Sequence, residues 1–489
     1  MKLDELLRHV VHIGVRGNTD CSISGVAYDS RQVRPDNLFV AISGECRDGA
    51  EFVQEAIRRG AAAVVTEHGR VAVRDTVHIH VANARRALAE AADAFFQHPT
   101  GRLNVAGVTG TNGKTTTAFM IRDMLQASGR RPGLIGTVQY EVGERVIPAS
   151  RTTPESSDLQ GLFDQMLKAG CRSVVMEVSS HALDQERVLG VDFDLALFTN
   201  LTRDHLDYHK TMEGYFAAKR KLFERLGGGK PGVAVINGDD AHGAALADAA
   251  KGCGKVLTFG LNEGAAVRAH DPVFDGEGSS FRVTSPWGES TIRIHLLGRF
   301  NVQNALGAYT AGRAMGLEES VVLKALAECR AVPGRLEEIP TSRGFRVFVD
   351  YAHTDDALSN VLQTLRPYTA GRLIVVFGCG GNRDQTKRPL MGAVASRLAD
   401  LTILTSDNPR REEPQEILRQ IRQGISTQAL CEVIEDRATA ISAALSFARE
   451  GDIVLVAGKG HENIQEFAGT IIPFDDRKVV RGLLQGGVA

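Results

Sequence analysis

The stretch that most constrains this chain is Val105-Ala106-Gly107-Val108-Thr109-Gly110-Thr111-Asn112-Gly113-Lys114-Thr115-Thr116. An apolar run leads into glycines, then Lys-Thr-Thr, then a helical pattern. That order predicts a strand, a tight loop and a helix in succession. Small residues let backbone N–H groups turn toward anionic oxygens, and the helix points its positive end at the same place. Lys114 is placed to neutralise terminal phosphates, and the Thr115 hydroxyl to hold Mg²⁺. Phe119, Ile121, Met124 and Leu125 recur near helical spacing, and Gly129 stops the helix. The general phosphate-loop pattern calls for a glycine five residues before Gly113. Val108 stands there, and Gly107 lies one residue too early.

A chain of 489 residues suggests about three domains. Lys and Arg (57) nearly balance Asp and Glu (59), so bulk charge argues for neither nucleic acid nor a membrane surface. The first residues, Met-Lys-Leu-Asp-Glu-Leu-Leu-Arg-His, are amphipathic and lack a secretory apolar core. No run reaches membrane-spanning length. The seven cysteines are scattered and never form Cys-x-x-Cys, which fits reduced thiols and argues against a disulfide frame or a zinc knuckle. These features place the chain in the cytoplasm. Only the tail Gly486-Gly487-Val488-Ala489 reads as loose.

Residues 1–100 alternate short apolar runs with helices, as a small α/β domain does. Leu38 to Ile42 reads as a buried strand, Phe52 to Arg59 as a helix stopped by Gly60, Ala62 to Val65 as the next strand, and Ala84 to Phe96 as a helix ending before Pro99. Asp29-Ser30-Arg31 occupies a turn before the first strong strand, and a polar loop spans 44–49.

Residues 101–333 carry the phosphate loop. Ser173 to Val178 is an apolar strand with Glu177 near its end, followed at once by Ser179-Ser180-His181. A carboxylate there can hold a magnesium-bound water beside the loop. Leu195 to Leu201 then empties into Thr202-Arg203-Asp204-His205-Leu206-Asp207-Tyr208-His209, a loop rich in ligands for a hard cation or polar substrate groups. In the helix from Met212 to Leu226, Tyr215, Phe216, Leu222, Phe223 and Leu226 form one apolar stripe, and Lys219 lies at its centre. An inward lysine should have a lowered pKa. Its neutral amine can add carbon dioxide and become an anionic carbamate; the plain alternative is a lysine that snorkels out or pairs with an acid. Residues 265–297 suggest antiparallel strands at one edge, and Pro333-Gly334-Arg335 marks a boundary.

Residues 334–489 form a third α/β unit. Strands end in Asp350-Tyr351-Ala352-His353, in Gly378-Cys379-Gly380-Gly381-Asn382-Arg383-Asp384, in Ser406-Asp407-Asn408-Pro409-Arg410 and in Gly458-Lys459-Gly460-His461-Glu462. Open parallel sheets bind ligands at that carboxyl edge.

Taken together, Gly110 to Thr116, Glu177 to His181, Asn200 to Asp207 and Asp350 to His353 resemble the Mur ligase family, in that family's order and over nearly the whole chain. The resemblance implies three domains: a central P-loop-type, mostly parallel sheet, flanked by a small N-terminal α/β domain and a C-terminal Rossmann-like α/β domain. It implies an ATP-dependent amide ligase of peptidoglycan synthesis and cell division, using Mg²⁺ and an acyl phosphate. The acceptor would be UDP-N-acetylmuramoyl-L-alanyl-D-glutamate and the incoming amino acid meso-diaminopimelate, with a lysine-adding or folylpolyglutamate synthetase-like ligase as the alternatives. The protein is expected to act as a monomer. ATP would be held by Gly110, Thr111, Asn112, Gly113, Lys114, Thr115 and Thr116, closed over by Asn301, Arg335 and Asp350. Ser30, Thr152, Thr153, Ser179, Gln185 and Arg187 would hold the UDP-substrate. Arg383, Asp407, Asn408, Pro409, Arg410, Gly458 and Glu462 would hold the amino acid. Thr115, Glu177, His205 and Lys219 as a carbamate would serve magnesium, and Lys114, Glu177, His205 and Lys219 the chemistry. Arg151 stands where some relatives have Asn.

Overall fold

The computed structural model describes residues 1–44, 47–69, 76–330 and 332–486. Of the polar loop 44–49, residues 45 and 46 lie outside the described residues, as do 487–489 of the tail.

The first sheet has five strands in the order Gly14–Arg16, Val77–His80, Ala63–Thr66, Asn37–Val40, Gly25–Ala27. Only Gly14–Arg16 runs antiparallel to its neighbour. The central strands are buried along their whole length, which is why they read as apolar runs rather than alternating ones. Helix Ala84–Phe95 starts at Asn83, whose side chain accepts from the Arg86 N–H at 3.0 Å. It ends one residue short of expectation, because Gln97 and His98 turn the chain with positive φ before Pro99.

The second sheet has eleven strands. Seven neighbours run parallel: Val267–Phe274, Gly254–Gly260, Gly232–Asn237, Leu195–Phe198, Asn104–Thr109, Ser173–Glu177 and Pro132–Ile135. Antiparallel strands Ser279–Ser285 and Gly288–Ile294 extend one edge, where they were expected. A second antiparallel extension, Gln139–Val142 and Arg145–Pro148, closes the other edge. Sequence patterning missed it because Arg145–Pro148 is mostly exposed and ends in proline. In register, Val108 faces Glu177 and Thr109 faces Phe198. The loops after these three strands therefore leave the sheet side by side.

The third sheet runs Glu337–Ile339, Arg346–Asp350, Ile453–Ala457, Leu373–Phe377, Leu401–Leu404, Cys431–Val433, with only Glu337–Ile339 antiparallel. A hairpin, Ile464–Phe467 with Thr470–Pro473, and a last helix, Asp476–Leu484, follow it. Asn112 donates to Asp356 at 2.9 Å and Arg203 to Asp384 at 3.3 Å, which joins the second and third sheets. Tyr28 donates to Asp158 at 2.8 Å, joining the first and second.

Candidate active site

The phosphate loop is built by close approach. Gly110 and Gly113 both have positive φ, 148° and 83°. A side-chain carbon at Gly110 would run into the Thr199 hydroxyl, and one at Gly113 into the Asn304 amide. Gly107 serves packing instead: a carbon there would lie 2.7 Å from the Phe193 ring. Helix Lys114–Ala127 begins directly after the loop, so its free N–H groups face the space above it. The Lys114 ammonium folds back onto the Gly110 and Thr111 carbonyls at 3.0 and 2.8 Å. Burial lowers its pKa, against the pull of Glu177.

Around this loop lies a cavity of about 410 Å³. Its walls come from the central sheet (Thr111 to Thr116, Thr137, Thr152, Glu177, Ser179, Asp204, His205, Asn301, Asn304) and from the third unit (Arg335, Asp350, Tyr351, His353, Asp356). Glu177 is the hub. Its Oε2 accepts from the Thr115 hydroxyl at 3.0 Å and from Thr137 at 2.9 Å; its Oε1 accepts from the Thr137 N–H at 2.8 Å. Arg335 donates to the Thr115 hydroxyl at 3.1 Å while lying over the Tyr351 ring at 4.4 Å. Asp350 accepts from the N–H groups of Leu336 and Ala352 at 2.6 and 2.7 Å, fixing the turn that carries Arg335. Asn301 accepts from Asn304, which reaches the glycine of the loop.

Thr115 and Glu177 are hard oxygen donors in contact beside a phosphate loop, and they fit Mg²⁺. Among the described residues no group of three or more His, Cys, Asp or Glu is arranged to hold a metal ion. A cation there needs the hydroxyl and the nucleotide's own oxygens as well. His205 sits at positive φ with its imidazole 3.3 Å from Asp204. Burial keeps the ring neutral, while His205, His353 and Lys387 hold the Asp204 carboxyl below its usual range against its burial.

Lys219 is buried, as its place in the apolar stripe predicts. Its ammonium donates to the Gly110 carbonyl at 2.7 Å and sits 4.5 Å above the Tyr215 ring. It does not snorkel, and among the described residues no acid is in hydrogen-bond contact with it. Burial, then Lys114, lower its pKa well below that of a free lysine. The structure places it beneath the loop rather than among the residues lining the cavity.

At the carboxyl edge of the third sheet, Asn408 donates to Glu462 at 2.9 Å and accepts from Lys459 at 3.1 Å. Lys459 is fully buried and also donates to Glu462 at 2.9 Å. Gly458 has φ 110°, and a carbon there would lie 2.8 Å from Asp407 Oδ2. Arg410 has φ 55°, donates to the Gly381 carbonyl at 2.8 Å and lies 3.5 Å from Glu466. Pro409 is buried between them, and Arg383 is exposed on the neighbouring loop.

Family models described as the Mur ligase middle domain, the Mur ligase glutamate ligase domain and the Mur ligase family catalytic domain match residues 108–312, 334–460 and 22–96. The UDP-N-acetylmuramoyl-L-alanyl-D-glutamate–2,6-diaminopimelate ligase of Caldanaerobacter subterraneus subsp. tengcongensis is 45% identical over 485 residues, 99% of each chain. The chain belongs to the Mur ligase family. A ligase of the same printed name from Geobacter sulfurreducens is 44% identical over 98% of this chain and 97% of its own. A solved UDP-N-acetylmuramoyl-L-alanyl-D-glutamate–2,6-diaminopimelate ligase is 34% identical, with a TM-score of 0.70 over 99% of both chains. A folylpolyglutamate synthase of Mycobacterium tuberculosis, solved with ADP and AMPPCP, shares the fold at 19% identity and a TM-score of 0.63, over 76% of this chain and 92% of that one.

In this Mur ligase the residues expected at the UDP-substrate end fall into two groups. Ser30 stays within the first unit, donating to Glu55 at 3.0 Å. Thr152, Thr153, Ser179, Gln185 and Arg187 gather near the central site. Thr152 meets Thr137 at 3.1 Å, and Thr153 donates to the Glu177 carbonyl at 2.8 Å. Ser179 caps the next short helix. Arg187 donates to Gln185 at 2.7 Å and to the Thr153 carbonyl at 3.1 Å. Arg85, Arg151 and Arg187 surround one buried carboxylate, Glu155. Arg151, standing where some relatives have Asn, is thus paired with Glu155. Sequence reasoning gave Lys459 a place in a strand-end loop but no role, and it missed Thr137, Asn304, Asp356 and Lys387. None of these four sits in a motif, and each reaches the site through a loop or helix that only the fold brings near.

Proposed function

We propose that this Mur ligase joins meso-diaminopimelate to the D-glutamate of UDP-N-acetylmuramoyl-L-alanyl-D-glutamate at the expense of ATP. It would act as a cytoplasmic monomer in peptidoglycan synthesis, with domains spanning 1–100, 101–333 and 334–489. The observation that carries this reading is the contact of Arg335 with Thr115 beside Glu177. A nucleotide on the loop would then be gripped from two domains at once.

In the first step the D-glutamate side-chain carboxylate attacks the γ-phosphorus. An O–P bond forms, the bond to ADP breaks, and an acyl phosphate results. In the second step the diaminopimelate amine attacks the acyl carbon, phosphate leaves and the nitrogen loses a proton. Both reactants of the first step are anions. Lys114, Arg335 and the N-terminus of helix Lys114–Ala127 offset their repulsion and stabilise charge on the transferring group. Thr115, Glu177 and His205 would hold Mg²⁺, which supplies further charge neutralisation when bound.

Burial favours the neutral Lys219 amine, which would add carbon dioxide: an N–C bond forms and one proton is lost, and the resulting anionic carbamate would serve Mg²⁺ together with Thr115, Glu177 and His205. A carbon-13 resonance of a carbamate, absent from Lys219→Arg after incubation with labelled bicarbonate, is the expected result. Its absence from the parent protein would count against the modification.

The function is tested by ADP release with the UDP-muramoyl-dipeptide and either diaminopimelate or lysine. Release dependent on diaminopimelate is expected. Equal release with lysine would point to the lysine-adding alternative, and none with either would sink the reading. Against a folylpolyglutamate synthetase stands the separate Mur ligase match over residues 22–96.

A further inference from the structure

Behind the proposed amino-acid pocket, whose expected residues include Asp407, Asn408, Gly458 and Glu462, lies a buried ion pair that no role above uses. Arg437 and Asp476 are both essentially without solvent contact. Arg437 opens helix Arg437–Phe447, and Asp476 opens the last helix, Asp476–Leu484. The pair is bidentate, Nε to Oδ1 and Nη2 to Oδ2, each at 2.7 Å. The remaining donors go to backbone: Nη2 to the Ala457 carbonyl at 2.9 Å and Nη1 to the Ser406 carbonyl at 3.4 Å. Ser406 and Ala457 immediately precede Asp407 and Gly458. One rigid guanidinium thus spans the ends of two strands that deliver opposite walls of the pocket.

The walls have little slack, since Gly458 is held against the Asp407 carboxylate. Asp476's neighbour Arg477 donates to the His461 carbonyl at 3.4 Å, beside Glu462. The first turn of the last helix therefore addresses both loops, directly through Arg477 and by way of Arg437. That helix lies beyond residue 460, where the match to the glutamate ligase domain model ends. Burying two charges costs several kcal/mol per ion, and an apolar pair of similar volume often stabilises as well or better. Fold stability alone does not call for this arrangement.

We infer that Arg437 and Asp476 are positioning residues for the incoming amino acid: through the Ser406 and Ala457 carbonyls they set the spacing between Asp407 and Gly458. This rests on the proposed reading of the pocket. The experiment measures KM for diaminopimelate and for ATP, with melting temperature, in Asp476→Asn, Arg437→Lys and the apolar double variant Arg437→Met with Asp476→Leu, beside Arg410→Ala. Each single change is expected to raise the KM for diaminopimelate about tenfold or more, the effect of loosening charged hydrogen bonds. The KM for ATP should stay within about twofold. The double variant, which leaves no unpaired buried charge, should regain melting temperature without regaining KM, and it carries the measurement if a single variant does not fold. A parent-like KM for diaminopimelate in a folded variant overturns the inference, as does an equal rise in both KM values. If Arg410→Ala raises the KM and these variants do not, the inference alone fails. If Arg410→Ala leaves it unchanged too, the pocket reading beneath it fails.

Discussion

Arg410 is the side chain proposed to set the choice of amino acid. It is held at positive φ with its guanidinium on the Gly381 carbonyl, in the space that Gly380 leaves open. Diaminopimelate ends in a carboxylate and an ammonium, whereas lysine ends only in an ammonium. A guanidinium fork suits the carboxylate, and lysine would leave it with only the Gly381 carbonyl and Glu466. Arg410→Ala should cost about 3–5 kcal/mol of diaminopimelate recognition, more than a hundredfold in kcat/KM, while ATP binding survives. Steady-state kinetics and nucleotide titration check both halves, and turnover matching the parent would remove Arg410 from this role. Arg388 stands behind the same loop without solvent contact. It pairs with Glu412 at 2.8 Å and donates to the Gly380 carbonyl at 3.2 Å.

At the scale of elements, the phosphate loop and the helices around it behave as one unit. Helix Lys114–Ala127 packs against Arg299–Ala314, and Asn304 of the latter closes on Gly113. Gly113→Ala would meet both a positive φ and the Asn304 amide. Overpacking of this kind costs about 1–3 kcal/mol. The expected outcome is a lower melting temperature and loss of the further stabilisation that ATP gives the parent, read by differential scanning fluorimetry. Undiminished nucleotide stabilisation would show that the loop tolerates a side chain there. The stripe on Met212–Arg225 was legible because a helix of that length must bury one face, and Tyr215, Leu222 and Phe223 do so. What Lys219 touches on that face was not legible, because the Gly110 carbonyl lies more than a hundred residues away in sequence.

Across the whole molecule, buried histidines set the response to acid. Burial holds His181 and His353 at about 4 and His461 at about 3. An unfolded histidine titrates near 6.5, so between about pH 6.5 and 4 the unfolded chain binds protons that the folded chain refuses. Stability therefore falls as pH drops through that window and returns as it rises. Depressed carboxylates such as Asp184 lose their contribution only lower, near and below their ordinary range. Melting temperature should climb between pH 4 and about 6.5; a flat profile there would contradict the burial of these rings. The cavity lies between two units joined through Asn112–Asp356 and Arg203–Asp384, and closure of those units before the chemistry is the expectation. Small-angle scattering should show a smaller radius of gyration with nucleotide and UDP-substrate than without. An unchanged curve would argue against closure.

The sequence by itself determined the alternation of strands and helices and the polar loops at strand ends. Those features follow from local periodicity and from the residues that tight turns demand. It marked Lys219 as inward, since periodicity alone assigns a residue to a helix face. Only the tertiary structure decided which loops meet: parallel register set Glu177 beside Thr115, and the approach of the third sheet put Arg335 on the same hydroxyl. It alone recruited Thr137, Asn304 and the Arg437–Asp476 pair, because a hydrogen bond between distant residues leaves no periodic trace in the chain that makes it.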